Sequence, residues 1–179
     1  SILIFDSRGR VYRFPIHKIP VTASNDPGID IKIAIKGLTA DIVAVIPETV
    51  IERVVKDYKG KVHLAVLSKN NTIKKLDLED FLNVPLSGII YSKPDPDNDI
   101  VSVKCISNEV DVVIYSKNKV LRIDASEIPI YKRNAAGVAA MNSANDIEDM
   151  DIMYDDTPYV VVVTDYGYFN KFSAAGLTV

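Results

Sequence analysis

The stretch VVIYSKNKVLRI, residues 112–123, carries the reading of the whole chain. Three aliphatic residues and a tyrosine lead into a short polar turn, and a second apolar strand holds a basic residue, Arg122, near its end. The same device returns at 2–14, 64–76 and 160–172, with Arg13, Lys75 and Lys171 at the equivalent place. Four residues before each basic anchor stands Gly9, Asn71, Asn118 or Gly167. Gly and Asn tolerate positive φ at low cost, as tight hairpin turns require. Six residues after each anchor comes an apolar side chain, Ile19, Phe81, Ile128 or Leu177. The anchors are separated by 62, 47 and 49 residues. A strand-rich period of roughly fifty residues predicts the blades of an all-β, propeller-like array, whose units cannot bury their faces alone.

The self-similarity extends beyond the hairpins. A glycine follows the first three anchors (Gly28, Gly88, Gly137), and then an Asp-Ile pair (Asp41-Ile42, Asp99-Ile100, Asp146-Ile147). Asp suits the turn before a last strand because its carboxylate accepts from nearby backbone N–H groups. The repeats fall at about 1–61, 62–110, 111–158 and 159–179, the last one incomplete. No Ser/Gly/Pro-rich linker divides them, so 1–179 reads as one domain, expected to be a piece of a longer polypeptide. The first repeat carries an excess at 47–61, where Val50, Ile51, Val54, Val55 and Tyr58 recur at helical spacing. Pro47 suits a first helical turn and Gly60 a C-terminal cap, so a short inserted helix is expected there.

Composition narrows the functional classes. Apolar residues make up 47% of the chain, ample for a packed core. No uninterrupted apolar run reaches the roughly 18 residues of a membrane helix, and no membrane partner is expected. Cys105 is the only cysteine and lies in an apolar run, which fits a reducing compartment and a buried thiol. The net charge of −3 divides unevenly, +6 over residues 1–75 and −9 over 76–179. A polyanion is therefore attracted to the first part and repelled by the second.

The side chains of common catalytic and metal sites are scattered. His17 and His63 stand in different repeats with no clustered cysteine or carboxylate, which disfavours zinc. The run 95–99 alternates oxygens like a calcium loop, but it lacks the glycine, and position twelve is Ile106 rather than Glu. The acidic run 146–156 interleaves Ile147, Met150, Ile152 and Met153, the pattern of a strand with a solvated face. Phosphate-binding loops, nucleophile elbows and catalytic triads are not recognisable, so no catalytic residue, metal or cofactor is expected in this segment. The tyrosines read as strand and rim packing.

The repeat resembles the C-terminal domain of the A subunit of bacterial type IIA topoisomerases, DNA gyrase and topoisomerase IV. The match is strongest over 111–141. There the Ser116-Lys117-Asn118 turn and Val120-Leu121-Arg122-Ile123 are followed by Ser126-Glu127-Ile128-Pro129 and Arg133-Asn134-Ala135-Ala136-Gly137-Val138. Ser7-Arg8-Gly9-Arg10-Val11-Tyr12-Arg13-Phe14 and Thr164-Asp165-Tyr166-Gly167-Tyr168-Phe169-Asn170-Lys171-Phe172 carry it at the two ends. The resemblance implies a β-pinwheel, in which neighbouring blades exchange strands, and a non-catalytic module that binds and bends duplex DNA around its rim. It also implies partnership with the ATPase B subunit, beside the remaining domains of the A chain, in the bacterial cytoplasm at the nucleoid. Gyrase A chains carry a basic, Gly-rich box that is needed for wrapping. The nearest match here is Lys132-Arg133-Asn134-Ala135-Ala136-Gly137, which leaves gyrase and topoisomerase IV both open.

Replacing counterions on phosphates calls for cations spaced along a convex face. The hairpin turns offer Arg8 and Arg10, Lys69 and Lys74, and Lys117 and Lys119. The anchors Arg13, Lys75, Arg122 and Lys171 lie nearby, and Lys132 and Arg133 complete the candidate set. No base-reading helix is recognisable, so contacts to phosphate are expected. The rival reading is a protein-interaction propeller, in which turn cations serve solubility and guard strand edges.

Overall fold

A computed structural model describes residues 1–143 and 145–177; the expected end of the fourth repeat, at residues 178–179, lies outside the described residues. Each repeat supplies an antiparallel hairpin. These are β1 (Ile2–Asp6) with β2 (Arg10–Phe14), β4 (Val62–Ser68) with β5 (Thr72–Asp77), β8 (Asp111–Ser116) with β9 (Lys119–Asp124), and β12 (Tyr159–Val163) with β13 (Phe169–Ser173). The strand that follows each Asp-Ile signal returns along the hairpin's first strand: β3 (Ile42–Pro47) on β1, β7 (Ile100–Ser107) on β4, and β11 (Ile147–Met153) on β8. The remaining strands are borrowed. β6 (Ile89–Ile90), which follows Gly88, pairs with β2, and β10 (Val138–Ala139), which follows Gly137, pairs with β5. Four sheets result among the described residues, ordered β3-β1-β2-β6, β10-β5-β4-β7, β11-β8-β9 and β12-β13.

The glycines that lead the borrowed strands are needed for close approach. Gly88 and Gly137 have φ of +75° and +101°. A Cβ on Gly88 would lie 2.7 Å from the Val11 carbonyl oxygen, and one on Gly137 would lie 2.6 Å from that of Ile73. Only a residue without a side chain lets the arm lie on its neighbour. Backbone bonds add a second tie between blades: the Ile100 N–H donates to the Ser7 carbonyl at 2.8 Å, and the Ile147 N–H to that of Lys69 at 2.9 Å.

Gly9, Asn71 and Gly167 occupy the left-handed region, with φ of +81°, +78° and +79°. Asn118, expected there as well, keeps a negative φ. Its hairpin closes differently, with Ser116 opposite Lys119, and the Asn118 side chain accepts from Asn145 Nδ2 at 2.7 Å. The inserted helix is present as α2 (Glu48–Asp57), preceded by a single turn, α1 (Ile31–Ala34), which the sequence pattern did not suggest. Pro47 stands just before α2 rather than inside its first turn. Tyr58 closes the helix by donating to the Val54 carbonyl, and Gly60 has φ +70°.

Most of the core lies between successive sheets, and Ile4, Tyr12, Phe14, Ile35 and Leu38 form a separate cluster on the first sheet. Leu3, Phe5, Val11 and Ile51 pack with Leu64, Val66, Phe81 and Tyr91 between the first two. Ala65, Leu67 and Ile73 pack with Val112, Ile114, Ile128 and Met150 between the second and third. The cluster at the fourth sheet is smaller, Val113, Met153 and Ala174. Each fully buried Leu, Ile or Phe contributes about 1.5–3 kcal/mol, so the central interfaces dominate the stability.

Candidate nucleic-acid interface

A cation reaches a phosphate only if its charged end is at the surface and not already spent. Two of the expected residues fail this test. Lys74 and Lys75 are 1% and 2% exposed. The Lys74 ammonium donates to the carbonyls of Arg133 and Ala135, at 2.9 and 2.7 Å, where the borrowed arm crosses β5. The Lys75 ammonium donates to the Ala125 carbonyl at 2.7 Å and to Asn108 Oδ1 at 2.6 Å. Burial lowers the Lys74 pKa to about 8 and lowers that of Lys75 as well, with Asp124 opposing the Lys75 shift. Both are withdrawn from the candidate surface, because β5 lies inside a sheet and its side chains point into blade interfaces.

The other anchors are ties of the same kind. Arg13 is half-buried and its Nε lies 2.8 Å from Glu48 Oε1, which fastens α2 to β2. Arg122 Nε donates to Asp111 Oδ2 at 2.6 Å, and Nη1 reaches the Leu177 carbonyl of the next repeat at 3.5 Å. Lys171 is exposed, with its ammonium 3.9 Å from the centroid of the Tyr159 ring. Three of the four repeated basic residues thus hold structure together.

The turn cations divide by their company. Arg8 pairs with Asp99 at 3.1 Å and donates to the carbonyls of Asp95 and Pro96, so the 95–99 run is a turn clasped by Arg8. Lys69 pairs with Asp146 at 3.2 Å. In both cases the carboxylate belongs to the Asp-Ile signal of the following repeat, so these pairs link blades. They are exposed, however, and worth at most about 1 kcal/mol, which a phosphate can replace. Arg10 donates to the Ser87 carbonyl at 3.4 Å, and its guanidinium lies 5.7 Å from the Tyr12 ring centroid. Lys119 donates to the Asn142 carbonyl, and Lys117 and Lys132 are exposed. Arg133 bridges blades instead, donating to the Ile90 carbonyl at 3.2 Å. Arg10, Lys117, Lys119 and Lys132 have no carboxylate partner among the described residues.

One cation was missed by the turn-based reading. Lys93 is exposed and follows Ser92, whose N–H donates to the Gly9 carbonyl at 3.1 Å. The borrowed arm therefore delivers Lys93 to the tip of the first hairpin, beside Arg8 and Arg10. Its signal was its distance after Gly88, legible only once the arm is known to cross to the previous blade. The acidic run forms β11, with Ile147, Met150 and Met153 buried and Glu148 and Asp151 exposed. Cys105, largely buried, has its thiol pushed up to about 11 by desolvation.

Antiparallel blades, the first two of which take their outer strand from the following repeat, make this a β-pinwheel, the propeller-like class to which the sequence pointed. The profile of the family described as "DNA gyrase C-terminal domain, beta-propeller" matches residues 1–28 and 116–149. The chain belongs to that family, the C-terminal domains of the A chains of DNA gyrase and topoisomerase IV. It is 31% identical over 161 residues to the chloroplastic/mitochondrial DNA gyrase A protein of Nicotiana benthamiana, which leaves the compartment unfixed by family membership. That match covers 87% of this chain and 16% of the relative, so the chain spans about a sixth of its length. The fold is shared with the C-terminal domain of DNA topoisomerase IV, at TM-score 0.79 and 21% identity, over 97% of this chain and 53% of that one. It is shared too with the DNA gyrase A C-terminal domain, at TM-score 0.73 and 16% identity, over 98% and 55%.

Proposed function

We propose that this domain binds duplex DNA through phosphates along its outer turns and bends it, as a non-catalytic module of a type IIA topoisomerase. The breakage and ATP-hydrolysing parts would lie in the remaining domains of the A chain and in the B subunit, and the setting would be the bacterial cytoplasm at the nucleoid. The observation that carries the reading is the set of cations without carboxylate partners among the described residues, half-buried Arg10 on the first blade and exposed Lys117, Lys119 and Lys132 on the third. Lys93 supplements the first blade, and Arg8 and Lys69 join by exchanging Asp99 and Asp146 for phosphate. Each cation seated on a phosphate releases condensed counterions and favours binding without reading sequence.

Bending rather than chiral wrapping suits this chain. The nearest match to a basic box, 132–137, is itself the borrowed arm. Its Arg133 and Ala135 carbonyls are held by Lys74, and its Gly137 lies under Ile73. Only Lys132 extends freely from it.

Titration of random-sequence duplex by fluorescence anisotropy, over a series of salt concentrations, tests the reading. Binding should weaken steeply with salt. A Lys117→Glu/Lys119→Glu/Lys132→Glu variant should lose about one unit of log–log salt slope per lost contact while its circular dichroism stays unchanged. Salt-independent binding, or indifference to the triple change, would favour the protein-partner reading, with the exposed acids Glu148, Asp151, Asp155 and Asp156 facing a basic partner.

A further inference from the structure

The hairpin tips of the first two blades leave a cleft of about 430 Å³ between them. One wall is the loop of residues 92–98, which Arg8 clasps onto the first hairpin. The turn at Asn70 forms a second wall, and Ala135 and Ala136 of the third repeat's arm close the cleft. The two flanking sheets each hold four strands. The second hairpin brings no unpaired cation to this place: Lys69 is paired with Asp146, and Lys74 and Lys75 are buried. A row of phosphates crossing from the first blade to the third therefore meets neutral side chains here.

Hydrogen bonds fix which way two of those side chains point. Asn70 Oδ1 accepts from Ser68 Oγ at 3.2 Å, and Asn98 Oδ1 accepts from the Asn70 N–H at 2.9 Å. An asparagine side chain carries one acceptor oxygen and one NH₂ donor group. With both oxygens engaged internally, both Nδ2 groups are left for the cleft, and neither has an acceptor among the described residues. Lys93 adds an exposed ammonium that has no carboxylate partner among those residues. Asp95 lines the cleft too, with its Oδ1 taken by the Asp97 N–H at 3.1 Å. Three donor groups against one carboxylate suit a singly charged oxyanion, and the carboxylate repels a dianion more strongly.

We propose that this cleft seats one backbone phosphodiester of duplex DNA on the Asn70 and Asn98 amides and the Lys93 ammonium, carrying the phosphate contacts across the second blade. The seat presupposes the DNA-binding reading and adds uncharged donors to the cationic contacts. A phosphodiester carries the single charge that the cleft suits, and the small side chains of Ala135 and Ala136 leave room for the sugar–phosphate chain. Amides position a phosphate without displacing its condensed counterions, so their share of the affinity survives added salt. A salt titration therefore separates the amides from the lysine.

The test is anisotropy titration of random-sequence duplex over a salt series, with circular dichroism checking that each variant is folded. Asn70→Ala should raise Kd about tenfold at every salt concentration and leave the log–log slope unchanged. Lys93→Ala should instead lose about one unit of slope. Asn98→Asp keeps the oxygen that accepts from the Asn70 N–H and removes the donor. It should weaken binding about tenfold more than Asn83→Asp, which places the same charge at an exposed position outside the cleft. Salt-dependent binding by the unsubstituted chain, with Asn70→Ala as tight as that chain or Asn98→Asp as tight as Asn83→Asp, would overturn the seat and leave the DNA reading standing. Absent or salt-independent binding by the unsubstituted chain would overturn both. At fixed ionic strength, inorganic phosphate should not displace the duplex. Displacement that Asn70→Ala abolishes would reveal a site for free phosphate and overturn the assignment to DNA.

Discussion

Lys74 keeps its ammonium beside the Arg133 and Ala135 carbonyls in a place closed to water, and its pKa of about 8 lies below the ordinary 10.5. Between those values the unfolded chain binds the proton and the folded chain does not, so stability contributed at this site rises with pH across that window. Below about pH 8 the buried charge costs on the order of 1–3 kcal/mol, partly offset by its two hydrogen bonds. The stability of the native chain minus that of a Lys74→Met variant should therefore increase from pH 7 to pH 10, measured by urea unfolding at both. Asn71 makes a separate prediction. Its φ is +78°, its Oδ1 accepts from the Met141 N–H at 2.6 Å, and its amide donates to the Met141 carbonyl. Asn71→Gly keeps the turn and loses the clamp, which should cost about 1–2 kcal/mol, and Asn71→Ala should cost more because it adds backbone strain. The sequence showed where these residues recur but not which way they face. A lysine on an apolar strand has an apolar stem as well as a charge, and the partner carbonyls of Lys74 and Lys75 lie about fifty to sixty residues away in the sequence, beyond what local pattern can reveal.

At the scale of single elements, the three arm glycines form a natural series. Gly88→Ala and Gly137→Ala force a Cβ to within 2.7 and 2.6 Å of backbone oxygen, whereas Gly28→Ala meets nothing. The first two should lose about 2–4 kcal/mol in thermal or urea unfolding, and the third about 1 kcal/mol from φ alone. Equal losses at all three would mean that the glycines serve backbone conformation only. The inserted helix gives a second check: Ile51 is fully buried against the first two sheets, so Ile51→Ala should cost about 2–5 kcal/mol. Hairpins and α2 were legible because alternation and helical spacing are local. The partner of β6 or β10 was not. Two apolar residues after a glycine name no neighbour, and strand exchange was expected only through the family resemblance. Asn118 shows the same limit, since Asn tolerates positive φ without requiring it.

For the molecule as a whole, stability should be uneven. The first three sheets share two large clusters and are linked by the borrowed strands β6 and β10, whereas the fourth sheet rests on Val113, Met153 and Ala174 and exposes Val161, Val163 and Phe169. Elements with few buried contacts open first. A Tyr168→Trp reporter should change its fluorescence at lower urea than the far-ultraviolet signal of the remaining sheets. Coincident transitions would show that the fourth sheet is held as firmly as the rest.

Borrowing has a consequence during synthesis. The outer flank of β2 is complete by Phe14, yet Ile89, which seals it, leaves the ribosome 75 residues later; β5 ends at Asp77 and waits 61 residues for Val138. Throughout those intervals raw backbone donors and acceptors face water, a template for any other nascent chain. Steady translation keeps those intervals short, so a stall midway through the second or third repeat should be the moment of greatest aggregation risk.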